Sequence, residues 1–303
     1  MKQVHPSILL ILATILWGGN FVIGKAVANS LSPFTLAFLR WCIAILFFFP
    51  IIWKPFKRDI PLFIKHWKII LLLAFTGVAA FNTLVYIGVH DTTSINASLM
   101  NMVTPIFIYI LSYILLKEKI HKMQAIGTVL SFVGVLCIIS NGSLKQLFHL
   151  HFNRGDLIVV VAVILWSIYS LFVKKYSNTL PGKTTFMASM LVGTMMLLPF
   201  FLYEITTSDT VISWNRLNVF AIFYTGIFAS IIAFLSWNSG VVKYGANRCG
   251  IYLNFIPVFA SIFAVIFLDE QLQMSQVIGG LCVVCGVYIT NLNYSMKQKK
   301  VFN

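Results

Sequence analysis

The sequence predicts an all-α integral membrane protein: ten transmembrane helices arranged as two inverted five-helix repeats. Three observations predict it. Of 303 residues, 59% are hydrophobic and only 10% charged, whereas a soluble domain is about a quarter charged. The apolar residues fall in long runs separated by short basic clusters. The second half of the chain repeats the first. The same composition excludes collagen-like, disordered and disulfide-scaffold proteins. A spanning helix needs roughly 20 apolar residues, so the length allows about a dozen spans at most.

Ten apolar segments can be drawn: Ile8–Val27, Phe34–Trp53, Ile69–Val89, Ala97–Leu116, Ala125–Ser140, Leu157–Val173, Phe186–Tyr203, Leu217–Trp237, Ile251–Leu268 and Val277–Leu292. Their lengths suit helices rather than the roughly 10-residue alternating strands of a membrane barrel. Lys2, the apolar run from Ile8 and Ala26-Val27-Ala28 imitate a secretory signal. Trp17-Gly18-Gly19-Asn20 interrupts that run and Lys25 precedes the supposed cut, so the segment is read as a retained first span.

Charge tests the count. With the N-terminus in the cytoplasm and spans alternating, the inner connections carry 17 Lys and Arg residues, among them Lys54, Lys57, Arg58, Lys65 and Lys68. The outer connections carry four: Lys25, Lys145, Arg154 and Arg216. Arg40 lies within a span. A wrong span number would mix the two sets, so the split supports a cell-membrane protein with both termini cytoplasmic. A net charge of +14 is thereby an orientation signal, and no nucleic-acid partner is expected. Cys282 and Cys285 have the spacing of a metal or redox pair. No histidine lies within a span to complete a site, so they are read as small buried hydrophobes. No metal or cofactor is expected.

The repeat is explicit. From Pro105 to Val135, 11 of 31 positions are identical to those 152 residues later, including Pro105/Pro257, Glu118/Glu270, Gly127/Gly279 and Gly134/Gly286. Ile15-Leu16-Trp17 and Lys25 likewise match Ile164-Leu165-Trp166 and Lys174. The halves are 1–142 and 143–303, each with five spans. Five is odd, so the second half inserts upside down, which is the usual architecture of secondary transporters.

Trp17-Gly18-Gly19-Asn20-Phe21, Ser32-Pro33 leading to Arg40, and the two proline–glutamate–glycine blocks resemble the EamA-type family of the drug/metabolite transporter superfamily. The resemblance covers nearly the whole chain. It implies ten helices and export of small metabolites, amino acids among them. The second half departs from the pattern: Ser167 and Tyr169 replace Gly18 and Asn20, and Ser189 stands where Arg40 would repeat. Any site is therefore asymmetric.

Candidate transport residues follow from residue type and depth. Pro105 and Pro257 lie inside spans, where proline frees a backbone carbonyl; they read as hinges or as static kinks. Ser98, Asn101, Pro105, Tyr109 and Ser112 share one helical stripe, a cavity face or a set of helix–helix hydrogen bonds. Trp17, Asn20, Trp41 and Trp166 fall near mid-span, and Asn82 and Tyr86 lie in the outer half of the third span. With Tyr169 they form a candidate pocket of aromatic walls and a few amides; filling of the bundle is the plain alternative. Trp237, near a span end, reads as an interfacial anchor. Glu118 reads as a span-end salt-bridge partner or part of a gate. Arg40 has three possible fates: snorkelling to the interface, binding freed carbonyls near Pro105, or pairing with an anionic group on the substrate. All acidic residues and histidines lie outside the drawn spans, so obligatory proton coupling is not expected. The expected activity is carriage of a small-molecule substrate across a lipid bilayer without bond chemistry; a pore lined by the same residues is the alternative. No serine–histidine, paired-acid or metal constellation points to an enzyme.

Overall fold

The computed structural model describes residues 5–91, 100–101, 103–140, 154–207, 214–268 and 274–301. Every element among them is helical. In chain order these are α1 Pro6–Val27, α2 Pro33–Lys65, α3 Trp67–Leu73, a π-helical segment Ala74–Ala80, α4 Phe81–Asp91, α5 Thr104–Leu116, α6 Lys122–Ile139, α7 Arg154–Lys175 and α8 Gly182–Thr207. Then follow α9 Arg216–Phe223, a second π segment Tyr224–Ile232, α10 Ala233–Tyr244, α11 Ala246–Gly250, a 3₁₀ turn Ile251–Asn254, α12 Phe255–Leu268 and α13 Met274–Val301.

Seven helical runs are long and apolar enough to cross a membrane: Pro6–Val27, Pro33–Lys65, Trp67–Gly88, Arg154–Lys175, Gly182–Thr207, Arg216–Tyr244 and Met274–Asn291. The other three drawn segments appear as the shorter α5, α6 and α12. Length alone therefore supports seven spans among the described residues. Lipid-facing character is plain on the surface, where Ile51 is 77% and Met195 73% exposed. Exposed aliphatic side chains recur along α2, α5, α6, α8 and α13, an apolar exterior that water would not tolerate on this scale.

Helix ends follow from local chemistry. Pro6 and Pro33 open α1 and α2, positions where proline's missing N–H has no intrahelical partner to lose. Pro105 does the same for α5, and Pro257 is the third residue of α12, just beyond a 3₁₀ turn. This corrects the mid-helix placement of both prolines: each begins an α-helix instead of interrupting one. Proline inside a continuous helix occurs in α2, at Pro50, Pro55 and Pro61, and in α8, at Pro199. Gly245, at φ 84°, ends α10 in a conformation that a side chain would strain.

The two π segments sit at corresponding places. Phe75-Thr76-Gly77 in the first and Tyr224-Thr225-Gly226 in the second are 149 residues apart, the same shift as Trp17 to Trp166. A π turn leaves carbonyls poorly matched to the helical ladder. Here tryptophans cap them: Trp41 Nε1 donates to the Val78 carbonyl (3.1 Å) and Trp17 Nε1 to the Ala229 carbonyl (3.1 Å).

Packing is reciprocal between the halves. The helix α1 lies against α12 and α10, as α7 lies against α5 and α4. The helix α2 packs on the second π segment and α8 on the first, and α2 packs on α8. The helices α6 and α13 form the most extensive contact, through glycines: Gly134 faces the Gly279 backbone and Gly127 that of Gly286. The ends of α2 and α8 are tied alike. Glu204 of α8 accepts hydrogen bonds from Thr35 N (2.7 Å) and Thr35 Oγ1 (2.9 Å), capping the start of α2. Asp59 of α2 accepts one from Thr184 Oγ1 (2.8 Å) at the start of α8. Thr35 and Thr184 are again 149 residues apart. Both carboxylates therefore lie within helices that run past the segments drawn from hydropathy.

Candidate functional site

A buried polar cluster gathers around Arg40, about two turns into α2. Its side chain is 0% exposed, so it does not snorkel. Its Nε donates to Ser230 Oγ at 2.9 Å, and its Nη1 to Asn82 Oδ1 at 3.0 Å and Tyr86 Oη at 2.5 Å. Tyr86 Oη in turn donates to Asn20 Oδ1 at 3.2 Å. The guanidinium lies 5.3 Å from the Trp41 ring centroid and 5.8 Å from that of Tyr86, close enough for cation–π attraction. The partners come from α4, α1 and the second π segment, and none is a backbone carbonyl near Pro105. That reading of Arg40 is replaced by side-chain hydrogen bonds. Nη2 has no hydrogen-bond partner among the described residues.

Next to this cluster is a layer of rings. Trp166 lies 5.1 Å from Trp17, 5.7 Å from Trp237, 5.2 Å from Phe234 and 5.2 Å from Tyr169, centroid to centroid. Trp41 adds an edge contact to Phe234 at 5.3 Å. Trp237 is fully buried in this layer and donates from Nε1 to Ser170 Oγ at 3.1 Å. It is not the interfacial anchor its sequence position suggested. The helix runs on to Tyr244, so Trp237 lies two turns from the end. Trp17, Asn20, Asn82, Asn101 and Trp166 enclose a cleft of about 20 Å³, room for about one water.

Beyond the ring layer the bundle opens into a cavity of about 290 Å³. Its mouth carries the exposed Lys183 and Lys243. Its inner wall includes Tyr169, Thr185, Phe186, Ser189 and Asn238. Asn238 Nδ2 donates to Tyr169 Oη at 2.8 Å. Asn238 Oδ1 and Thr185 Oγ1 are buried without a hydrogen-bond partner among the described residues. A buried unpaired polar atom costs about 1–3 kcal/mol, so both atoms favour a ligand or water that completes them.

The structure thus brings Trp17, Asn20, Arg40, Asn82, Tyr86, Asn101, Trp166 and Tyr169 into one connected region. Tyr109 stands apart: it faces α6 and its hydroxyl pairs with Thr128 Oγ1 at 2.8 Å. Ser112 donates to Glu118 Oε2 at 3.0 Å, and Asn247 Nδ2 donates to the same oxygen at 2.9 Å. The lower part of that stripe is helix–helix bonding. Ser98 lies outside the described residues. Sequence reasoning missed Ser230, Thr185, Asn238, Phe234 and Phe186. Thr185 and Ser189 share a face at i, i+4, the signal that was there to find.

Seven long apolar helices around a closed polar cluster and an adjoining cavity define an integral membrane protein. Residues 6–140 and again 153–292 match the EamA-like transporter family, to which the chain belongs. It is 30% identical to the uncharacterized transporter YetK of Bacillus subtilis (strain 168), over 95% of this chain and 87% of that one. It is 28% identical to an uncharacterized transporter of Archaeoglobus fulgidus, over 93% and 96% of the two chains. A solved crystal structure with 16% identity superposes with a TM-score of 0.77 over 95% of this chain and 96% of that chain, a likeness of fold. The protein is a membrane transporter.

Proposed function

We propose that the protein is a secondary transporter that moves small metabolites, such as amino acids or related compounds, outward across the cytoplasmic membrane by alternating access. The observation that carries this reading is the two-ended asymmetry of the bundle. A cavity of about 290 Å³ lies beside the lysine-rich end, while the Arg40 cluster and the ring layer fill the other end. In a carrier, each end must open in turn. The reciprocal packing of the halves and the paired ties at Thr35 and Thr184 support an inverted repeat of the kind that exchanges such states. The 17-to-4 charge split supports placing the lysine-rich end, and both termini, in the cytoplasm. Packed rings between cavity and Arg40 favour a carrier over a continuous pore.

Among the described residues, no carboxylate or histidine contributes to the cavity's lining. Facilitated diffusion or substrate exchange is therefore favoured over obligatory proton coupling. The test is counterflow. Proteoliposomes preloaded with an unlabelled candidate metabolite should accumulate the labelled compound transiently above its equilibrium level. Monotonic equilibration with single-channel conductance steps would remove the carrier reading. Substrate-driven acidification abolished by one substitution would remove the uncoupled one.

A further inference from the structure

The cavity's chemistry is uneven along its depth, and this narrows what it can hold. At the mouth are two cationic side chains, Lys183 and Lys243. Deeper lie Asn238 and Ser189, five and six residues along their helices from those lysines. At 1.5 Å rise per residue the separation is about 8 Å. Most of the lining is apolar or aromatic, with Phe186, Phe172 and Leu235, while Thr185 and Ser239 stand between the two levels. At the inner end Asn238 Oδ1, an acceptor only, has no donor among the described residues, and the residue is 8% exposed. Nearer the mouth, two residues from Lys183, Thr185 Oγ1 is also without a partner among the described residues, on a residue 7% exposed. Among the described residues, no acidic side chain lines the cavity.

The geometry points to an elongated aromatic acid as the ligand of this cavity, with its carboxylate at Lys183 and Lys243 and an O–H or N–H donor at its far end bonded to Asn238 Oδ1. The assignment rests on the carrier reading above and narrows its substrate class. Backbone levels about 8 Å apart suit a ligand longer than the head group of an α-amino acid, whose nitrogen and carboxylate are within about 4 Å of each other. A volume of about 290 Å³ equals that of about ten waters in bulk, which suits a molecule of about a dozen non-hydrogen atoms. Organic cations would meet the two lysines at the mouth, with no acidic side chain in the lining among the described residues to offset them, and are disfavoured.

Three matched probes test this on the full-length protein in nanodiscs: 3-(4-hydroxyphenyl)propionate, 3-phenylpropionate and tyramine. The first has donor and acid, the second lacks the donor, and the third replaces the acid with a cation. The hydroxylated acid should bind about tenfold more tightly than either analogue. Asn238→Ala should remove its advantage over phenylpropionate and keep that over tyramine. Lys183→Gln with Lys243→Gln, both exposed, should do the reverse. Equal binding of the three probes by the unsubstituted protein, or binding of none, overturns the assignment and needs no variant to interpret. The expected binding pattern without counterflow would instead remove the carrier reading and leave the cavity's ligand class standing.

Discussion

Arg40 concentrates the residue-scale argument. A buried cation in a membrane helix costs several kcal/mol unless it is solvated or paired. Here three hydrogen bonds and two aromatic faces replace the missing counter-ion. The donors leave Nε and Nη1 in directions that an ammonium cannot reproduce together. Arg40→Lys should therefore lower stability by about 2–4 kcal/mol, read as a drop in melting temperature of the purified protein. Arg40→Gln should lower it further, since Asn82, Tyr86 and Ser230 lose their common partner. Unchanged melting in both variants would return Arg40 to a surface role. The sequence made Arg40 conspicuous because it is the charge set deepest inside a drawn span, Lys25 lying two residues from the end of the first. It could not name the partners, because Ser230 is 190 residues away and no local pattern marks it. Asn238 was hidden for a similar reason: its neighbour Trp237 looked interfacial only because the segment was drawn to stop there.

At the scale of elements, glycine contacts and threonine–carboxylate ties make separate predictions. A Cβ at Gly134 would meet the Gly279 carbonyl and Cys282, so α6 and α13 could not keep their separation. Gly134→Leu should destabilise the bundle by about 3 kcal/mol or more, while Gly182→Ala, where nothing lies within 4 Å, should not. Comparing their melting curves checks whether close approach is the cause. Thr35→Val loosens the tie to Glu204 and Thr184→Val the tie to Asp59. In alternating access the two should bias the bundle in opposite directions. Thiol labelling of Ser239→Cys, in the cavity, should slow in the first and quicken in the second. Equal effects would make both ties plain helix caps. Long apolar periodicity made most helices legible, and the proline–glutamate–glycine block located α5, α6, α12 and α13. The π segments were not legible, because their spacing in sequence is that of an ordinary apolar helix. Pro105 and Pro257 were misplaced because hydropathy runs straight through a helix start.

At the scale of the whole molecule, residues 6–140 and 153–292 match the same family, and the two stretches differ around the buried polar cluster and the cavity. At a shift of 149 residues, Arg40, Asn82 and Tyr86 meet Ser189, Ile231 and Leu235. One half fills its polar pocket with a guanidinium. In the other, Ser189 and Leu235 line open space. The repeat was readable in the sequence, and so was this asymmetry, but the cavity that results from it was not, since volume depends on how four helices splay. Cysteines at Gln146 and Gln298 should label from opposite sides of intact cells if the charge split sets the topology. The central claim is that the Arg40 end must part for a solute to cross. The most direct measurement is exchange in proteoliposomes by Thr35→Cys with Glu204→Cys in a background free of other cysteines, oxidised and then reduced. Oxidation should bridge α2 to α8 and stop exchange while Ser239→Cys, added to the same background and assayed on its own, stays reactive; reduction should restore exchange. Undiminished exchange by the fully bridged protein would contradict the account.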